Sequence, residues 1–281
     1  GQPITSVQLP EGLVSIGSYA FSNTLLTSVV LPQSLRIISD GAFQGAQVST
    51  PVVIPDAIEV VGACLFAFNP IPSVILPASA KIIGDAAFRD TQLTSVVIPD
   101  GVASIGTQAF AYTPLKNVSL SKSLQTISPL AFSGTQLDSI VIPDGVTSIG
   151  YEAFSYSPLS SITLPNTLTD IGVNAFKGSN LASVIIPEGI TQINLFYAFS
   201  GSPLASVSLP STLTTIGDGA FAESQLNDVV VPEGVTSIGM GAFFDTPLVS
   251  AILPNSVTEI ADGAFFGTRL TQVDLPSSLM S

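Results

Sequence analysis

The chain has 281 residues, with 20 Asp and Glu against 7 Lys and Arg, no histidine, one cysteine and a net charge of −13. Such a charge repels nucleic-acid phosphates and anionic lipid, so no nucleic acid and no bare membrane is expected as a partner. Without histidine there is no Ser-His-Asp or Cys-His pair, the lone Cys64 cannot build a disulfide framework, and no apolar run reaches the roughly 18 residues of a membrane span.

From Ile4 onward one phrase is rewritten about thirteen times, most legibly as Leu137 to Phe154, LDSIVIPDGVTSIGYEAF. A proline closes the first apolar run of each copy, at Pro10, Pro32, Pro55, Pro77 and Pro99, then, after Ser121 in its place, at Pro143, Pro165, Pro187, Pro210, Pro232, Pro254 and Pro276. The spacing is 22 residues, and 23 between Pro32 and Pro55 and between Pro187 and Pro210. A phenylalanine follows eleven residues after nearly every proline, from Phe21 and Phe43 through Phe132 and Phe154 to Phe265. Self-similarity at a short fixed period predicts a solenoid, each phrase forming one coil.

Within a coil, L-x-x-V-x-I/L-P reads as an extended strand. Alternation places Val96 and Ile98 inward and Ser95 and Val97 outward, and Leu93 anchors its start. Stacked copies predict one long parallel sheet, which needs its other face covered, here by the rest of the coil. Pro-Asp-Gly or Pro-Glu-Gly then turns the chain. Two inward positions follow, such as Val146 and Ile149, and an Ala-Phe pair, such as Ala153 and Phe154, completes a lining of about seven positions per coil. The phenylalanines are expected to stack as a spine, and burying each contributes roughly 1.5 to 3 kcal/mol.

The spacing L-x-x-V-x-I-P-x-x-V-x-x-I-G-x-x-A-F, which recurs from Ile4 to Leu279, resembles the BspA-like, or treponemal-type, leucine-rich repeat family. That resemblance implies a curved β-dominated solenoid with the parallel sheet on its concave face and short strands or helical turns on its convex face. It also implies a secreted or surface-displayed protein that attaches to other proteins, matrix or cells. Two departures stand out: the period is mostly 22 residues where the family has 23, and the small position after Ala-Phe, often cysteine in the family, is here Thr or Ser, as in Thr91, Thr135 and Ser179.

A second period of about 44 residues lies over the first. Odd coils carry an acidic turn residue, at Glu11, Asp56, Asp100, Asp144, Glu188 and Glu233, and even coils read L-P-x-S/T, as at Leu164 to Thr167 and Leu209 to Thr212. The evolutionary unit is therefore a pair of coils. Gly1 leads almost directly into the first strand and Ser281 stops after half a coil, without a polar cap. The expectation is a single solenoid domain over 1–281, a segment of a longer protein, whose uncapped end coils either continue into flanking sequence or meet end to end.

Two surfaces offer themselves for binding. One is the outward strand face, where a column of serines including Ser95 and Ser139 runs beside a column holding Val97, Val141 and Thr163. It reads as a protein-binding or glycan-binding strip, or simply as the β-branched residues that strands favour. The other is an aromatic edge two residues beyond the spine, Phe68, Tyr112 and Tyr156, which could hold a sugar or a partner's apolar side chain, or could merely pack on the adjacent proline and the next coil. The acidic turn residues invite calcium, but carboxylates two coils apart cannot share one ion, and solvated turns are the better reading. No catalytic residue, metal or cofactor is expected, and Gly239-Met240-Gly241 follows the ordinary repeat grammar. The resulting expectation is an extracellular or cell-surface protein that binds a protein or glycan, with a structural element of a self-assembling layer or filament as the alternative.

Overall fold

The computed structural model describes residues 3–193, 197–275, 277 and 279. Pro276 lies outside the described residues. The chain forms two compact units, residues 1–138 and 139–281. Each is a parallel β-solenoid, with about eleven turns in all where the repeat count predicts about thirteen coils. No first strand forms at Val7–Leu9 or Val29–Leu31, near the end of the array. The second strands of the same two coils, Ser15–Ile16 and Ile37–Ile38, do pair.

A representative coil is lined as its apolar pattern demands. Leu93, Val96, Ile98, Val102, Ile105, Ala109 and Phe110 are all buried, while Ser95 and Val97 face outward. The spine exists in both units. In 1–138 the rings from Phe21 to Phe132 follow one another at 5.2 to 6.3 Å, within 13° of parallel. In 139–281 those from Phe154 to Phe265 stand at 5.3 to 5.9 Å, within 16° of parallel. These are offset stacks, the arrangement that the ring quadrupole favours.

The strand ladders differ from the expected single long sheet. First strands are hydrogen-bonded two by two: Val52–Val53 with Val74–Ile75 and Ser95–Val97 with Asn117–Ser119 in one unit. In the other, Ser139–Val141 pairs with Ser161–Thr163, Ser183–Ile185 with Ser206–Ser208, and Asp228–Val230 with Ser250–Ile252. Every pair joins an odd coil to the following even one, so the 44-residue period is written into the backbone. Between pairs the tie lies just ahead of the strand instead: Gln92, Gln136 and Gln225, three residues before odd strands, each donate the backbone N–H to the preceding even coil, to Ile71, Leu115 and Leu204. The same place before even strands holds Pro70, Pro114, Pro158, Pro203 and Pro247, which have no N–H to give.

The second strand of each coil is only two residues long, yet its ladder is the more continuous. Val60–Val61, Ile82–Ile83 and Ser104–Ile105 form one run, and Gln192–Ile193, Thr215–Ile216, Ser237–Ile238 and Glu259–Ile260 form another. The segment around Ala-Phe holds no helix among the described residues. It is a chain of tight turns, with Ala87 N–H bonded to Gly84 and Arg89 N–H to Ala86, and it is also bonded sideways, Phe66 to Ala87 at 2.9 Å and Phe88 to Ala109 at 2.8 Å. Each such segment carries a residue in the left-handed region two places before the spine ring and another two places after it, such as Ala86 (φ 51) and Asp90 (φ 53).

Candidate functional site

The strand face is built as predicted. Ser139 lies opposite Ser161 and Val141 opposite Thr163, so three of the candidate residues, Ser139, Val141 and Thr163, share one two-stranded surface. In the other unit Ser95 lies opposite Asn117 and Val97 opposite Ser119. A shallow groove of about 620 Å³ passes over this pair of strands and over Ile75. Val97 is 69% exposed and Val141 67%, which leaves a β-branched side chain in solvent on a strand paired along one edge.

At the aromatic edge, Phe68, Tyr112 and Tyr156 all occupy the left-handed position after the spine, with φ of 62, 58 and 56. That backbone is unfavourable for residues other than glycine, and here each ring is about half exposed over the following coil. Tyr112 lies across Gly134 and Tyr156 across Gly178, since a Cβ at those glycines would stand 2.7 and 3.2 Å from the rings. The structure brings Phe68 and Tyr112 together around a residue that the sequence reading passed over. The Arg89 guanidinium carbon sits 5.7 Å from the Phe68 ring centre and 5.4 Å from that of Tyr112, and its Nε donates to Asp90 at 3.0 Å. The rings therefore pack on the next coil, through Arg89 and glycine, and retain exposed faces.

A third surface escaped sequence reasoning. In 139–281 a cleft of about 360 Å³ opens among Tyr197, Asp218, Gly241, Phe244 and Phe266. The signal that could have found it is the run Gly219, Gly241, Gly263 at one repeat position, visible only when the coils are aligned by their spine phenylalanines.

Few groups are electrostatically perturbed. Burial, reinforced by the carboxylates of Asp40 and Asp85, pushes the Cys64 thiol up. The Ser211 hydroxyl, donating to Glu188 Oε2 at 2.8 Å, holds that carboxyl below its usual range. Among the described residues no group of three or more His, Cys, Asp or Glu side chains is placed to hold a metal ion, and no helix is long and apolar enough to cross a membrane.

The repeat lining, the paired strands and the exposed faces define a leucine-rich repeat solenoid. The profile of the BspA-type leucine-rich repeat region matches residues 1–92, 81–202 and 195–281, and the chain belongs to that family. Among solved structures it is similar to a leucine-rich repeat protein from Bacteroides ovatus, at 26% identity and a TM-score of 0.65 over 91% of this chain and 80% of that one. It is also similar to a leucine-rich cell surface protein from Faecalibacterium prausnitzii (24%, TM-score 0.51, 93% and 70% of the two chains). A third likeness is to the pneumococcal vaccine antigen PcpA (17%, TM-score 0.53, 95% and 78%). A search of curated protein sequences gives no match.

Proposed function

We propose that the chain is an extracellular or cell-surface binding protein that takes a protein or glycan partner on its outward strand face, with the aromatic edge as an accessory anchor. The observation that carries this reading is the column of solvent-facing aliphatic side chains, Val30, Val53, Ile75 and Val97 on successive coils of one unit and Val141, Ile185, Val230 and Ile252 in the other, where Thr163 and Ser208 interrupt it. An apolar run as unbroken as that from Val30 to Val97 is uncommon unless something covers it. The surface location of the Faecalibacterium protein and the antigenic character of PcpA support the same reading.

The test is binding of the chain to an array of extracellular-matrix proteins and glycans, in parallel with Val97→Lys/Val141→Lys and with Val60→Lys, an exposed valine of the second strand ladder. Saturable binding that weakens at least tenfold in the first variant and is unchanged in the second is the expected result. Equal loss in both, or no saturable binding at all, overturns the proposal. Concentration-dependent association in sedimentation, with no ligand captured, would favour the assembling layer instead.

A further inference from the structure

The cleft in 139–281 arises from one column of the repeat. The residue two places before the spine ring has positive φ in coil after coil: Tyr197 at 66°, then Gly219 at 60°, Gly241 at 60° and Gly263 at 64°. Where that residue has a side chain it covers its neighbour, since a Cβ on Gly219 would stand 2.6 Å from the Tyr197 ring. Gly219 lies under that ring, and the two glycines after it, Gly241 and Gly263, leave the column bare. Asp218, Met240 and Asp262 line it together with Phe244 and Phe266, whose rings stack at 5.6 Å and 9°. Phe266 is 66% exposed. Asp218 accepts the Met240 N–H through Oδ1 at 2.7 Å, which fixes its carboxylate at the rim.

Aromatic faces beside carboxylates attract a flat cation, and the chain itself demonstrates the combination. In the other unit Arg89 lies between Phe68 and Tyr112 while paired to Asp90. The cleft has comparable partners, yet neither Lys177 nor Arg269 is among its lining residues. Those two are the whole basic complement of 139–281, against twelve acidic residues. No basic side chain of this unit therefore lines the cleft. We propose that this cleft binds an arginine side chain presented by a protein partner, with the guanidinium on the exposed Phe266 ring and paired to the Asp262 carboxylate of the same coil, Asp218 adding negative charge from two coils away. A guanidinium suits such a site because it stacks on rings and pairs with carboxylates at once. The inference does not depend on the strand face.

The test titrates the end-blocked peptide Gly-Arg-Gly, and the same peptide with the neutral isostere citrulline for Arg, into the isotope-labelled full chain at low ionic strength. Saturable shifts of the Gly219, Gly241 and Gly263 amides are expected with the arginine peptide, and affinity at least tenfold weaker with citrulline. Asp218→Asn/Asp262→Asn keeps the hydrogen-bond acceptor at 218 and should weaken arginine binding at least tenfold. Gly241→Gln should block it, because the equivalent position already holds Gln108 at φ 58. Equal affinity for the two peptides, shifts scattered over the acidic surface without saturation, or variants that fold and titrate like the parent would each overturn the proposal.

Discussion

At the scale of single residues, the solenoid depends on a small polar side chain three places after each spine phenylalanine. Thr91, Thr113 and Thr246 are buried there, and each donates its hydroxyl to the carbonyl of its own spine phenylalanine at 2.8 to 2.9 Å. The sequence shows these residues as a departure from the family's cysteine. The structure shows why Thr serves: it answers a carbonyl that the turn leaves inside. One coil breaks the rule, with Ala46 at that position, and its neighbour compensates. Asn69 donates to Phe43 at 2.7 Å as well as to its own Phe66 at 3.1 Å, and accepts the Val48 N–H at 2.8 Å. Removing it takes the acceptor from the Val48 N–H and the side-chain donor from the Phe66 carbonyl, each worth about 1 to 3 kcal/mol. Asn69→Ala should therefore destabilise by roughly 2 to 4 kcal/mol in chemical denaturation and speed exchange of the Val48 amide. Adding threonines, as Ala46→Thr/Asn69→Thr, should regain about half of that stability while the Val48 amide stays fast. A double variant no more stable than Asn69→Ala would refute the compensation.

Cys64 is the other residue whose surroundings decide its chemistry. It occupies a left-handed backbone at φ 52, and burial and the Asp40 and Asp85 carboxylates all disfavour its thiolate. The sign follows directly: a raised thiol pKa leaves the reactive anion scarce at neutral pH. Alkylation followed against pH should begin at higher pH than for a free cysteine peptide. Asp40→Asn/Asp85→Asn retains the acceptors for the Ala63 and Thr107 N–H groups and should move the onset down. An onset at or below that of the peptide would contradict the geometry.

At the scale of the element, the working unit is two coils. The odd turn exposes carbonyls that the even coil's hydroxyl takes up. Ser34 donates to Leu13, Ser79 to Ile58, Thr212 to Ile190 and Ser256 to Val235, at 2.7 to 3.0 Å. Thr167 donates to both Asp144 and Val146. The glycine of the odd turn answers a second constraint, seen at Gly189, where a Cβ would stand 2.3 Å from the Leu168 carbonyl oxygen of the preceding even coil. Acid-Gly and x-Ser/Thr are thus complementary halves rather than two styles of the same turn, and the acidic residues need no ion to explain their alternation. Deleting residues 139–182, a whole pair, should leave a chain that melts close to the parent. Deleting only 161–182, one even coil, strips the Thr167 hydroxyl from Asp144 and Val146 and sets odd against odd. The shorter deletion should melt at least about 5 °C below the longer one, the shift expected for a kcal/mol or two in a chain of this size. Equal melting temperatures would show that the coil, not the pair, is the unit.

At the scale of the molecule, charge and lining were readable in advance, while their meeting points were not. Twelve of the acidic residues and only two of the basic ones fall in 139–281, which the sequence states outright. That the same unit presents a bare groove lined by rings and carboxylates required knowing which columns stand side by side. The strand candidates Ser95, Val97, Ser139, Val141 and Thr163 could be placed from alternation alone, because a strand's period of two assigns every side chain a face. Arg89 could not be joined to Phe68 and Tyr112 in that way. They are partners across coils, at separations the linear pattern does not rank above any other.

The sequence by itself determined the repeat, the inward set and the family, because a period repeated a dozen times constrains every coil to bury the same positions. Only the tertiary structure decided that first strands bond in twos, that Asn69 serves its neighbour's spine, and that two glycines open a cleft. Each of those outcomes depends on a backbone group or ring meeting its counterpart in an adjoining coil, and proline, hydroxyl and glycine act there through what they withhold or supply to the next coil.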